Sequence, residues 1–430
     1  MVSLRIDRRL RADFSWVLSG NVIYSACQWG IVLVLAKLGS AEQVGLYALG
    51  MAVCSPIVLF ANLQVRTLLA SDVRDEYRFG QYLAFRFISL ALAFLVIAAV
   101  AGVTSPDWRH RGIILLVGFA QLLEYLSDTY YGLMQKCDRM DRLSRSLMFK
   151  GPLALGALWA AMYLTRNVLW AVVALALGRL FILLVWDSRL GYARKVLDHL
   201  SARLEWRNAD MLQLFQLALP LGIISMLVAL STNIPRYFIE GHLGTSDLGI
   251  YSAIASLLTA GTLVVSAFGQ SIMVPAAKAY AEGDRGKYRA FVLHTILLGA
   301  ILGAGAIVTA VLFGHFLLIH LFRPEYAAHA DIFVWLMIAG TACFLTSGVG
   351  YVMTAARVLK PQVPLLLANC ATAALVSAWL IPKDGLRGAA EAILVAALVQ
   401  LAGAALILWK IDRRMAAAPA PETSVAPVEV

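Results

Sequence analysis

The chain of 430 residues is divided almost end to end into apolar runs about as long as a membrane is thick, separated by short charged or turn-forming stretches. A hydrocarbon core of roughly 30 Å is crossed by about 20 apolar residues in a helix, and a lone segment in lipid satisfies its backbone polar groups only when helical. Each run is therefore read as a transmembrane helix. The candidates lie at about 15–37, 46–70, 81–103, 112–135, 147–165 and 168–187, then at 211–236, 248–273, 291–319, 331–356, 361–381 and 389–410. Composition agrees: 60% of residues are hydrophobic and 14% charged, where a soluble chain carries about a quarter charged. With a mean hydropathy of +0.76 a water-soluble fold is excluded. The expected class is all-α: a polytopic membrane protein of about 12 helices in two six-helix lobes, 1–187 and 211–410. A cytoplasmic connector at 188–210 joins them, and a disordered cytoplasmic tail follows at 411–430.

Positive residues fix the orientation, because Lys and Arg in short loops resist translocation. Assigned to alternate sides of the twelve spans, 24 fall on the side of both termini and 8 on the other. Both ends are therefore expected in the cytoplasm. The formal charge of +10 is dispersed in these loop clusters, as topology signals are, and nucleic acid is set aside as a partner. The basic start runs into an apolar stretch at Ser15 without a small-residue cleavage site, so it reads as an uncleaved first span. The closely spaced spans around Arg166 and Lys360 leave a re-entrant reading open.

The two sixes share a motif. Leu38, Gly39 and Ser40 followed by Val44, Gly45, Leu46 and Tyr47 recur as Leu243, Gly244 and Thr245 followed by Leu248, Gly249, Ile250 and Tyr251, about 204 residues later. Such a pattern is easily matched by chance in a glycine-rich chain, but both copies join the first and second spans of their halves. Parallel six-helix repeats that rock against each other are a common transporter plan.

At these residues the sequence resembles the polysaccharide flippases, the O-antigen and exopolysaccharide transporters of the multidrug/oligosaccharidyl-lipid/polysaccharide exporter superfamily. The most specific stretch is LALPLGIISMLVALSTNIPRYFIEGHLGTSDLGIYSAIASL from Leu217 to Leu257, with Gly269 to Pro275 and AAKAYAEGD from Ala276 to Asp284. Pro235 stands where many of that family carry Asp before an arginine, which here is Arg236. The resemblance implies a two-lobed flippase in the bacterial inner membrane. It would move undecaprenyl-diphosphate-linked oligosaccharide from the cytoplasmic to the periplasmic leaflet, with a polysaccharide polymerase or glycosyltransferases as partners beside the membrane lipids.

Catalytic and cofactor signatures are missing. The one Gly-Lys, Gly286 and Lys287, is followed by Tyr288, so no phosphate-binding loop exists and no cofactor is expected. His315, His320 and His329 lack metal-ligand spacing, and the five cysteines form no C-x-x-C pair, so no metal is expected either. Gly299 to Gly305 reads as helix packing.

What remains is polar and charged residues inside spans, which are costly in lipid and need partners or water. Gln121, Glu124 and Asp128 share one face of the fourth span, with Arg179 at similar depth in the sixth. Glu124, Asp128 and Arg179 are candidates for ion coupling, and a structural ion pair is the alternative. For the anionic headgroup and its sugars the candidates are Asn21 and Gln28 on the first span, Asn62 and Arg66 one turn apart on the second, and Asn233 and Arg236 on the seventh. Arg66 reads equally well as snorkelling to headgroups, and Arg86 as an anchor at a cytoplasmic end.

Three other functions compete. A drug or cation antiporter of the same superfamily would share the helix count, and a lipid II flippase more often has fourteen spans. A glycan polymerase or acyltransferase would need an external domain or paired acids and histidines, and no external segment is that long.

Overall fold

The computed structural model describes residues 2–72, 75–104, 107–190, 208–358 and 360–417. Among them eleven helical stretches are long and apolar enough to cross a bilayer. The last holds two helices that meet at Gly385, whose backbone (φ 59°, ψ −135°) leaves the helical region, so the count reaches twelve when they are separated. The all-α class stands.

By its contacts the chain forms two compact units, one of Met1–Ser256 with Leu321–Arg323 and one of Leu257–His320 with Pro324–Val430. The first unit contains α1 (Val2–Leu38), α2 (Ala41–Asn62), α3 (Val65–Ser71), α4 (Phe79–Thr104) and α5 (Trp108–Lys136). It continues with α6 (Met140–Thr165), α7 (Val168–Ile182), a π-helical extension (Leu183–Leu190), α8 (Asn208–His242) and α9 (Thr245–Ala255). Here α2 is the axis, packed against α4, α5, α8 and α9, while α1 lies along α6 and α6 along α7. Caps mark the ends: the Ser40 hydroxyl accepts from the Gln43 N–H, and the Asn167 side chain accepts from Leu169. Asp107, outside the spans, caps α5 by accepting from Arg109. That N–H and the His110 ring hold its carboxyl below the ordinary range.

The repeated glycines have a purpose that spacing alone does not reveal. A Cβ on Gly45 would lie 1.8 Å from the carbonyl oxygen of Thr245, and one on Gly249 would lie 1.8 Å from that of Ala41. Each copy's glycine receives the backbone of the other copy four residues before the matching glycine. The two motifs thus pack on each other reciprocally, with α2 and α9 in backbone contact.

The second unit contains α10 (Thr259–Ala281), α11 (Arg285–Leu321), α12 (Pro324–Ala327), α13 (Ala330–Ala355) and α14 (Gln362–Ala417), with α13 packed on α10 and α14. Two details differ from the sequence reading. The expected second span, 46–70, is interrupted: α2 stops at Asn62, Leu63 and Gln64 take left-handed backbone (φ 47° and 51°), and α3 starts at Val65. The tail expected to be disordered from 411 is helical to Ala417, because Arg285 and Arg289 from α11 both hold Asp412 through paired nitrogens at 2.5–2.8 Å. The join at Arg166 is a tight turn, with Arg166 itself left-handed (φ 52°) and its guanidinium bonded to the Leu38 carbonyl. Most of the connector, 191–207, and the tail beyond 417 lie outside the described residues.

Candidate functional site

Most of the sequence candidates fall into three groups of polar side chains within the first unit. The largest is a neutral set of four charges. Glu124 on α5 lies 3.6 Å from Lys150 on α6 and 3.6 Å from Arg179 on α7, and Lys150 lies 3.6 Å from Asp187. Lys150 and Asp187 are wholly buried, and Glu124 is 21% exposed. At 3.6 Å these contacts exceed hydrogen-bond length, so charge rather than hydrogen bonding holds them. The hydrogen bonds run outward instead. Arg179 donates to the Ala120 carbonyl (2.9 Å) and to Gln28 (3.2 Å), and Ser146 donates to Asp187 (2.6 Å). With its proton so committed, Ser146 accepts from Tyr131 (2.9 Å), whose ring face lies 4.8 Å from the Lys150 ammonium.

The Glu124–Arg179 pair is thus present as a contact. Lys150 and Asp187 were missing from the sequence candidates, because each sits near the end of its run and resembles an interfacial residue. The π-helical turn containing Asp187 changes the side-chain register there, and such turns are enriched at functional sites.

The second group surrounds the break between α2 and α3. Arg66 meets Asp128 at 3.1 Å and donates from Nε to Gln135 at 3.3 Å. Arg66 does not follow Asn62 by one helical turn as expected, since the left-handed pair intervenes. Arg86, expected as an interfacial anchor, is completely buried. Its Nε donates to Thr129 (2.8 Å) and its Nη1 to the Asn62 carbonyl (3.0 Å), an acceptor freed because α2 ends there. Sequence depth alone could not show this, because only the helix break creates the acceptor. The Asn62 side chain is itself buried.

The third group is on α8. Arg236 donates to Asn233 (3.0 Å), which in turn donates to the Ala229 carbonyl (2.8 Å). Its Nε is buried without a hydrogen-bond acceptor, and no carboxylate of the described residues lies within ion-pair distance. Tyr237 beside it donates to the Ala52 carbonyl at 2.5 Å, tying α8 to α2. Of the remaining candidates, Asn21 is exposed, and Gln28 faces Arg179 rather than the α8 group. Among the described residues no group of three or more His, Cys, Asp and Glu is placed to hold a metal ion.

This architecture is that of a multi-pass membrane protein. It is similar to a multidrug resistance MATE family transporter of the MOP superfamily in an inward-facing conformation, with a TM-score of 0.71 at 12% identity over 92% of this chain and 99% of that one. It is also similar to the lipid II flippase MurJ in an inward closed conformation, with a TM-score of 0.70 at 8% identity over 93% and 89%. The sequence narrows the class. Residues 10–279 match the family described as "Polysaccharide biosynthesis protein", and the chain belongs to that family. A relative by sequence is the capsular polysaccharide biosynthesis protein CapF of Staphylococcus aureus, 26% identical over 395 residues, which are 90% of this chain and 96% of that protein.

Proposed function

We propose that this protein is a flippase that carries undecaprenyl-diphosphate-linked oligosaccharide from the cytoplasmic to the periplasmic leaflet of a bacterial inner membrane. It does so by alternating access between lobes 1–187 and 211–410, joined by the connector 188–210, with both termini in the cytoplasm. The observation that carries the reading is Arg236, a guanidinium within a span that has an amide and no carboxylate beside it. A cation so placed suits an anionic ligand, and phosphate is one of the groups whose geometry a guanidinium matches with two parallel hydrogen bonds. It is a poor host for the lipophilic cations of a drug antiporter, which it would repel. The family and the name of the staphylococcal relative support a polysaccharide precursor as cargo, and the fold shared with a lipid II flippase supports a lipid-linked one. With no phosphate-binding loop in the sequence, the motive force is a gradient or the cargo's own distribution.

Reconstituted vesicles holding a lipid-linked oligosaccharide test this. Arg236→Ala should slow flipping roughly tenfold or more, as expected for loss of one charge-assisted hydrogen bond, and Arg236→Lys should retain part of the rate. Normal flipping by Arg236→Ala at normal protein levels would remove the headgroup role.

The orientation has its own test. Reporter fusions active only outside the cytoplasm should be silent after Arg142, Lys195 and Lys287 and active near Asp107, Thr245 and Asp384. Activity within the 188–210 connector would overturn the two-lobe scheme.

A further inference from the structure

Asp128 is paired with one arginine, and a second arginine of different accessibility is bonded to the residue beside it. Arg66, 34% exposed, meets its Oδ1 at 3.1 Å. Arg86, in turn, is bonded through Nε to Thr129, the next residue along α5. Arg86 is wholly buried, and its Nη2 has no hydrogen-bond acceptor. The group of three therefore carries one carboxylate against two guanidiniums, and the carboxylate sits on the more accessible one. A carboxylate paired with arginine presents the same two-oxygen face to it as a phosphate does.

We propose that Asp128 is a built-in competitor for diphosphate at Arg66: an arriving diphosphate takes the Arg66 guanidinium, and the displaced carboxylate turns to the open Nη2 of Arg86. The exchange improves the pairing. Before it Arg86 has only neutral acceptors, and after it Arg66 holds phosphate while Asp128 holds Arg86, so neither guanidinium is left without an anion. Gln135, which also holds Arg66, carries no charge and can stay bonded throughout. The break at Leu63 and Gln64 supports this mobility, because Arg66 rides on the seven-residue helix α3 and not on the long α2. The inference rests on the headgroup reading of Arg66 and adds to it a residue that sets how tightly the headgroup is held.

The test is equilibrium binding of farnesyl diphosphate and, separately, inorganic pyrophosphate to the purified full-length protein, with the melting temperature of each variant recorded. Both probes carry the diphosphate. Tighter binding of farnesyl diphosphate identifies a lipid-borne group as the ligand, whereas equal affinity identifies free diphosphate. Asp128→Asn should tighten binding by about tenfold, since the competing charge is gone while the shape remains. Arg86→Gln should weaken it by a similar factor, because the displaced carboxylate has no second partner, and in the Asp128→Asn background Arg86→Gln should have no further effect. Independent, additive effects of the two changes, or unchanged binding by Asp128→Asn, would overturn the exchange. Arg66→Ala separates the two levels of the reading. If it leaves affinity unchanged, the headgroup assignment at Arg66 is wrong. If it weakens binding while Asp128→Asn does nothing, the headgroup site stands and the competitor does not. Should Asp128→Asn fold poorly, the charge-balanced Asp128→Asn with Arg86→Gln double variant carries the same prediction of tighter binding.

Discussion

Gly45→Val or Gly249→Val should lower the melting temperature and membrane abundance more than any other single glycine change in the first unit. At each site the first added carbon would sit 1.8 Å from a carbonyl oxygen of the opposing helix. An ordinary C···O contact is about 3.3–3.6 Å, so α2 and α9 would have to part by roughly 1.5 Å or more. Neither obstacle is a side chain that can rotate away. Overpacking a well-packed site costs typically about 1–3 kcal/mol, and with two helical backbones opposed the effect belongs at the upper end or beyond. The control is Gly156→Ala, where nothing lies within 4 Å of the new carbon and the change should be neutral or stabilise by about 0.5–1 kcal/mol through helix propensity. Thermal unfolding in detergent measures both. If the Gly45 variant melts with Gly156→Ala, the backbone contact is not a determinant of stability.

That contact also bears on transport under the proposed scheme. On the two-lobe reading α2 belongs to 1–187 and α9 to 211–410, so the reciprocal glycines form the seam that must open during a cycle. Gly45→Ala, the smallest possible wedge, should then shift the protein toward the state in which the seam is parted, visible as faster labelling of a cysteine placed at Ser246.

The sequence carried the number of helices, because span length and lipid thickness are matched by physics that needs no tertiary context, and it carried the family through the resemblance at Leu217 to Leu257. It carried the repeat as well, but not why the repeat exists. The function of Gly45 and Gly249 becomes apparent only when one copy is seen resting on the other. The charged residues divide along a similar line. Glu124 and Arg179 were legible because both stand well inside apolar runs, where a charge is conspicuous. Lys150 and Asp187 stand near run ends, where charge is ordinary, and only the packing of α5, α6 and α7 shows them to be buried. Arg86 was misread for the same reason. Its burial depends on the left-handed pair at Leu63 and Gln64, and neither residue type announces a left-handed backbone.

The four-charge set makes the second large prediction. Lys150→Met removes a wholly buried cation that stands between Glu124 and Asp187 and leaves both carboxylates short of a partner. In soluble proteins, removing one member of a buried pair costs about 3–5 kcal/mol, so membrane levels of this variant should fall severely. Glu124→Gln should be milder in folding, because Lys150 keeps Asp187, and Arg179 keeps the Ala120 carbonyl and Gln28. Two double variants sort structure from coupling. Glu124→Gln with Arg179→Gln removes one charge of each sign and leaves the Lys150–Asp187 pair. Lys150→Met with Asp187→Asn does the converse and leaves Glu124 with Arg179. If the set is structural, both doubles should recover the abundance lost by their single cation changes and should flip lipid-linked oligosaccharide at a rate that still responds to an imposed pH or sodium gradient. If Glu124 is the coupling carboxylate, Glu124→Gln alone and its double should fold yet flip at one rate with and without the gradient, while Lys150→Met with Asp187→Asn stays responsive. Asp187 as the coupling group reverses that pattern. Gradient response in both doubles would clear the whole set from coupling, and the search would then move to Asp128, the remaining acidic side chain on that face of α5.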